Sequence, residues 1–252
     1  MPSTTDNAHV CEFCGRPLEF KELPKPFVAK GRDDGRKGKP FGFYLDCQCA
    51  DSVRHRQEIE RAEEASRREE EREDFYRRLE RAGVKKRYEK AAHELEPENT
   101  QKVLEGKSLY ICGEFGTGKT HLASAIARKL IWRRKRVRML TGIDITMMLQ
   151  ATYGSSESEA DVLARLANVP ILIIDDMGKE PPSDWVLSRL FAVINARYDK
   201  MLPTIITTNY EKSALVERMG KHGDHDTAEA MVSRICEMCE LIKLTGEDRR
   251  LS

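Results

Sequence analysis

Apolar and polar positions divide the 252-residue chain into three stretches of different texture. From Val84 onward, compact apolar runs alternate with segments of helical period. Ser108–Cys112, Val137–Leu140, Val169–Ile174 and Leu202–Ile206 read as buried strands. His121 to Leu130 sets Leu122, Ala125, Ile126 and Leu130 on one face of a helix, and Ile143–Gln150 and Glu157–Leu166 are also helical in pattern. Strands alternating with helices predict an α/β fold with a central parallel sheet flanked by helices.

Asp51 to Arg81 has a different texture. It is dominated by Glu and Arg and contains no Pro or Gly. Arg54–Glu58, Glu63–Arg67, Glu64–Arg68, Glu73–Arg77 and Asp74–Arg78 are spaced i,i+4, each supporting helix by a few tenths of a kcal/mol. Ser66 to Asp74 holds no large apolar residue, so no heptad seam runs through it. A solvated helical spacer is expected, with a partly frayed linker as the alternative. Phe75, Leu79 and Ala82 form a short apolar stripe that docks on the following domain or on a partner, and Gly83 ends the helix. The first 50 residues carry few core candidates: Phe20, Phe27, Phe41, Phe43, Tyr44 and Leu45. That is too little apolar surface to fold unaided. The expected division is therefore 1–50, a small cysteine-rich module; 51–82, a charged helical connector; and 83–252, the α/β domain.

Composition narrows the setting. A hydrophobic content of 40% supports one α/β core. The net charge of +1 gives no global field toward nucleic acid or membrane, so any such contact must be local. No run approaches the roughly 20 apolar residues of a membrane span, and the polar N-terminus lacks an apolar signal core. A cytoplasmic protein without membrane contact is expected, and its seven cysteines are better read as metal ligands or buried thiols than as disulfides.

Cys11-x-x-Cys14-Gly15 and Cys47-x-Cys49 are two close pairs, an arrangement suited to tetrahedral Zn²⁺. His9, Asp46 and His55 are substitute ligands, and a redox pair or free thiols is the other reading. Metal would supply the stability that the apolar residues lack. Cys112, Cys236 and Cys239 sit in apolar contexts and read as buried thiols, the last two on one predicted helix.

Gly113-Glu114-Phe115-Gly116-Thr117-Gly118-Lys119-Thr120 spells G-x-x-x-x-G-K-T between a predicted strand and a predicted helix. Glycines let successive N–H groups wrap a phosphate chain, and the helix N-terminus adds partial positive charge. Lys119 can reach the β- and γ-phosphates, and the Thr120 hydroxyl can ligate Mg²⁺. The run Val169–Ile174 ends in Asp175-Asp176, which would emerge at the carboxyl edge of the sheet, where ligands bind in open α/β folds. Asp175 can hold Mg²⁺ and Asp176 can act as general base toward water. Leu202–Ile206 leads into Thr207-Thr208-Asn209, where Asn209, with Thr208 second, can orient that water or touch the γ-phosphate. Arg128 to Arg138 is a basic cluster with a tryptophan. It can attract phosphates, and it is also what the solvated C-terminal end of a helix looks like.

Together with Ser233-Arg234-Ile235 and Gly246-Glu247-Asp248-Arg249, these motifs give the stretch from about Gly83 onward a recognisable look. It resembles the bacterial replicative helicase loaders of the DnaC/DnaI type within the AAA+ ATPases, and their relatives the IstB-type transposition helpers. The resemblance implies ATP with Mg²⁺ as the ligand and self-association through the ATPase domain. It implies Arg234 as an arginine finger reaching a neighbouring subunit's nucleotide (Arg218 is the runner-up) and Arg249 as a second sensor of bound nucleotide. It also implies a cysteine module that contacts the replicative DNA helicase, and single-stranded DNA bound along helices at 143–167. The expected function is ATP-dependent loading of that helicase in replication initiation or restart. The alternatives are a transposition helper that binds duplex DNA and activates a transposase, and an adaptor for which ATP is only a structural ligand.

Overall fold

The computed structural model describes residues 9–23, 42–181, 183–221 and 224–246. The chain divides into two units, 1–72 and 73–252. Phe27 and Phe41, counted above as core candidates of the first, lie outside the described residues.

In the first unit, β1 (Phe20–Glu22) pairs antiparallel with β2 (Gly42–Tyr44), Phe20 opposite Tyr44. The Tyr44 ring meets Phe20 edge-on at 5.0 Å and His9 at 3.9 Å. These few ring contacts bring the two cysteine pairs together. Helix α1 (Ala50–Ala82) starts one residue after Cys49. Residues 61–73 of α1 are exposed throughout, so its own ion pairs and helix propensity must sustain it there. Glu64–Arg68 (3.3 Å) and Asp74–Arg78 (3.1 Å) form at the expected spacing. Arg54 instead takes Asp51, and Arg72 takes Glu69, both at i,i+3.

In the second unit the last turns of α1 are core. Phe75, Leu79 and Ala82 are buried with Leu122, Ile126 and Leu130, and Arg78 Nη1 donates to Ile131 O at 2.7 Å. The stripe therefore packs on the α/β body. Gly83 turns the chain with φ +92, and a Cβ there would stand 2.1 Å from Met139 O, so only glycine fits.

The body is a five-stranded parallel sheet in the order β4-β5-β6-β3-β7, with β3 (Ser108–Gly113), β4 (Val137–Thr141), β5 (Ile171–Met177), β6 (Thr204–Thr208) and β7 (Cys239–Leu244). Helices α2 (Glu96–Leu104), α3 (Lys119–Trp132), α4 (Gly142–Gln150), α5 (Glu159–Asn168), α6 (Asp184–Asp199), α7 (Lys212–Gly220) and α8 (His225–Met238) complete it. Alternate residues serve opposite faces. Leu109, Ile111, Ile173 and Ile205 join α3 on one side; Tyr110, Leu172, Ile174 and Ile206 join α6 and α8 on the other. This is why the strands read as continuous apolar runs. Capping boxes Thr141–Asp144 and Ser158–Asp161 start α4 and α5.

One placement differs from expectation. Cys236 is on α8, but Cys239 opens β7. β7 is an edge strand whose alternating residues pair in register with β3, Ile111 opposite Ile242, and this tertiary pairing overrides the helical pattern running into it.

Candidate functional site

β3 delivers the chain into the glycine loop at its carboxyl end. Gly116 (φ +78) and Gly118 (φ +95) are left-handed. Gly118 is also the N-cap of α3 and supplies no side-chain cap, so the first N–H groups of α3 face the loop, a ready anion site. The loop is braced from within. Thr117 Oγ1 donates to Glu114 O at 2.9 Å, and Lys119 Nζ donates to Gly113 O at 2.9 Å and Glu114 O at 2.6 Å.

The acids come from β5, where pairing with β6 is irregular between Ile174 and Met177. Asp175 is 3% exposed. Its Oδ1 accepts from Thr120 Oγ1 at 2.9 Å and Thr207 Oγ1 at 2.6 Å. Burial raises its carboxyl above the ordinary range, and the two hydroxyls oppose that rise. A carboxylate and a hydroxyl sharing one point are the hard oxygen donors that Mg²⁺ takes, so Thr120 and Asp175 fit the ion. Asp176 has φ +59, a left-handed backbone costing a side-chain residue roughly 1–2 kcal/mol. Its N–H donates to Thr207 Oγ1 at 2.8 Å, which fixes the turn, and its Oδ2 accepts from Lys179 Nζ at 2.8 Å.

One cavity of about 300 Å³ gathers Phe115, Gly116, Gly118, Lys119 and Thr120 with Asp176 and Asn209. Thr208 is fully buried and bonds Met177 O at 2.7 Å, which leaves Asn209 as the side chain that β6 presents to the cavity. Asp175 stands behind Thr120. Arg234 is elsewhere: on α8 it bonds Ala230 O, and its guanidinium lies 5.0 Å from the Phe191 ring. Arg218 donates to Gly178 O at 2.7 Å and Glu180 O at 3.3 Å, tying down the segment after β5. Arg249 lies outside the described residues.

The pattern of the sequence did not reveal several neighbours. Arg87, Tyr88, His121 and Lys179 also line the cavity, with the Arg87 guanidinium 5.0 Å over the Tyr88 ring. Lys179, three residues after Asp176, is the one whose spacing hinted at contact. Glu180 is 2% exposed, accepts from Gly178 N at 2.7 Å, and is pushed up by burial. Its Oε1 lies 1.4 Å from where a Cβ on Gly142 would stand, so the carboxyl sits against the N-terminus of α4 because residue 142 has no side chain.

In the first unit, the sulfurs of Cys11, Cys14, Cys47 and Cys49 lie within 4.8 Å of one another. Cys11 and Cys49 are 3.7 Å apart, Cys14 and Cys47 3.5 Å. A disulfide needs about 2.0 Å, whereas Zn–S bonds of about 2.3 Å give tetrahedral edges of about 3.8 Å. Backbone N–H groups of Cys49 and Ser52 point at Cys47 Sγ and Cys49 Sγ, 3.4 and 3.5 Å away. The Cys14 N–H leads in drawing the Cys11 thiol down to about 6. The donor set fits zinc. The substitutes are engaged otherwise: His9 against Tyr44, His55 against Phe13 at 5.0 Å, and Asp46 beside Arg56 at 4.0 Å. In the other unit Cys112 is buried and Cys236 and Cys239 half-buried, and burial pushes the Cys239 thiol up to about 12.

No helix among the described residues is long and apolar enough to cross a membrane. Residues 60–252 match the family described as IstB-like ATP binding protein. Replicative helicase loader DnaI of Bacillus subtilis is 28% identical over 150 residues, 58% of this chain and 48% of that protein. Replicative helicase loader DnaC of Escherichia coli is 32% identical over 115 residues, 45% of this chain and 47% of that protein. The chain thus spans about half the length of these curated relatives. Among solved structures, that of the DnaC helicase loader superposes with a TM-score of 0.50 at 28% identity, covering 64% of this chain and 100% of that one. That of DnaI gives 0.51 at 26%, covering 59% and 82%.

Proposed function

The chain belongs to the family of IstB-like ATP-binding proteins and has the AAA+ fold, and from that premise we propose that it is an ATP-dependent loader of a replicative DNA helicase in replication initiation or restart. The observation that carries this reading is the cavity where the glycine loop, the acidic end of β5 and the polar tip of β6 meet. The similarity to two helicase loaders supports a replicative helicase as the partner.

In the proposed mechanism the N–H groups of the loop and of α3 hold the phosphates of ATP. Lys119 turns its ammonium from the loop carbonyls toward the β- and γ-phosphates. Thr120 and Asp175 would hold Mg²⁺, which neutralises phosphate charge when bound. Asp176 accepts the proton of the attacking water, and Asn209 orients that water. Arg87 and Tyr88 line the cavity with the loop and Asp176. Arg234 serves a neighbouring subunit's nucleotide: its guanidinium lies on α8 against Phe191, outside the cavity of its own chain. Self-association then completes each site, with Arg249 as a second nucleotide sensor. ATP binding assembles subunits on single-stranded DNA, and hydrolysis releases the helicase.

Residues 1–50 form the zinc module that docks on the helicase, 51–82 the charged connector, and 83–252 the ATPase domain, all acting in the cytoplasm. The family match also favours a second reading, a transposition helper that binds duplex DNA and activates a transposase.

Mass measurement of the full chain mixed with its host's replicative helicase, with and without a slowly hydrolysed ATP analogue, separates the two. A stoichiometric complex supports the loader. No complex in any nucleotide state, with duplex DNA bound instead, favours the transposition helper.

A further inference from the structure

A groove of about 680 Å³ lies at the end of the sheet opposite the nucleotide cavity. Its lining includes Val137, the first residue of β4, and Val169, just ahead of β5, whereas Asp176 and Asn209 stand at the carboxyl ends of β5 and β6. Seven cations converge on the groove from separate elements. Arg78 and Arg81 come from α1, and Arg134, Lys135 and Arg136 from the turn after α3. Arg138 comes from β4 and Arg165 from α5. No acidic side chain among the described residues lines it.

Nearby acids answer only part of this charge. Asp74 takes Arg78 at 3.1 Å and Arg134 at 2.6 Å, and Glu157 takes Arg165. Arg138 Nη1 donates to Arg81 O at 2.7 Å. The side chains of Arg81, Lys135 and Arg136 are exposed and make no hydrogen bond or ion pair among the described residues. In a chain of net charge +1, this is a local concentration rather than a sample of the surface. It is held at a cost, since Arg134 has φ +60, a conformation easier for Gly or Asn. The rest of the lining is largely apolar, with Ile131, Met148 and Leu166, and Trp132 beside Ile131 is 59% exposed.

We propose that this groove binds the phosphate backbone of a single nucleic-acid strand, at a distance from the ATP cavity. Six of the seven cations are arginines, whose forked donors match phosphate oxygens. Apolar lining suits unstacked bases, which a duplex turns inward. The inference rests on the single-strand part of the loader reading and assigns it a surface.

The test is fluorescence anisotropy of a labelled oligo-dT with the full chain and a slowly hydrolysed ATP analogue, across a salt series. The variant is Lys135→Ala/Arg136→Ala, with Lys212→Ala as a control on α7. Losing two phosphate contacts should weaken binding about 10-fold or more and lower the slope of log K against log salt by about 1.4. ATP turnover and Tm should stay at the wild-type values, as should all readouts of Lys212→Ala. Wild-type binding that the double variant leaves unchanged in affinity and slope overturns the groove assignment alone. A loss confined to a duplex probe overturns the single-strand commitment. A wild-type chain that binds no oligonucleotide in any nucleotide state overturns the DNA-binding reading itself, and the groove with it.

Discussion

The two units are held together by opposite means. In the α/β unit, five parallel strands are packed by apolar side chains, and the polar groups of the nucleotide cavity gather at their carboxyl edge. Among the described residues of the cysteine unit, two three-residue strands and a few ring contacts accompany four sulfurs. One unit places its chemistry at the rim of a core that stands without it. Among the described residues of the other, the four sulfurs stand in place of a core. The difference teaches which perturbations should travel. Loss of a P-loop or acidic side chain should stop turnover and leave the fold, whereas loss of a sulfur should dismantle its unit and leave turnover.

The sharpest break between fold and chemistry is Asp176→Asn. Asn tolerates the left-handed backbone at this position, so Tm should hold while kcat for phosphate release falls by about 10²–10⁴-fold. Mixing this variant with Arg234→Ala should restore turnover that neither shows alone, because a mixed interface combines an intact Asp176 with an intact Arg234. Turnover equal to wild type in Asp176→Asn alone would revive the adaptor reading.

Next in size is Cys14→Ser. Bound zinc, measured by elemental analysis, should fall from about one equivalent to well below it. ATP turnover should be unchanged.

Within the core-built unit, Gly83→Ala forces a Cβ to within 2.1 Å of Met139 O in a left-handed turn. A loss of about 2–3 kcal/mol is expected in denaturant unfolding. A neutral result would mean that the last turns of α1 are not packed as described.

The smallest effect concerns Glu180. Burial raises its carboxyl in the folded state, so the unfolded chain releases that proton more readily. Its unfavourable contribution is absent below the unfolded value of about 4.3, grows as pH rises from there, and is complete above the folded value. Glu180→Gln should therefore raise Tm at pH 8, with the difference vanishing below about pH 4. A difference that grows toward acid would reverse the sign of this account.

What the sequence shows follows the same division. β3, β5 and β6 are legible because both of their faces are buried, so each reads as an unbroken apolar run. The glycine loop and Asp175-Asp176 are legible because chemistry fixes their spacing. β7 is not, because its mixture of Glu240, Leu241, Ile242 and Lys243 becomes a strand only by pairing with β3. Nor is Glu180, whose burial depends on a missing side chain at Gly142, nor Arg87 and Tyr88, which reach the cavity through a segment without periodicity. The stripe on α1 left two partners open, and packing against Leu122 and Ile126 decides between them.

The most direct test separates dock from motor in the intact protein. A zinc-selective chelator is added with Mg²⁺ in excess, and helicase binding and ATP turnover are measured on the same sample. The account predicts that helicase binding is lost and returns with added zinc, while turnover in the chain alone is unchanged. Helicase binding that survives complete removal of zinc would contradict it, as would turnover that falls in step with the metal.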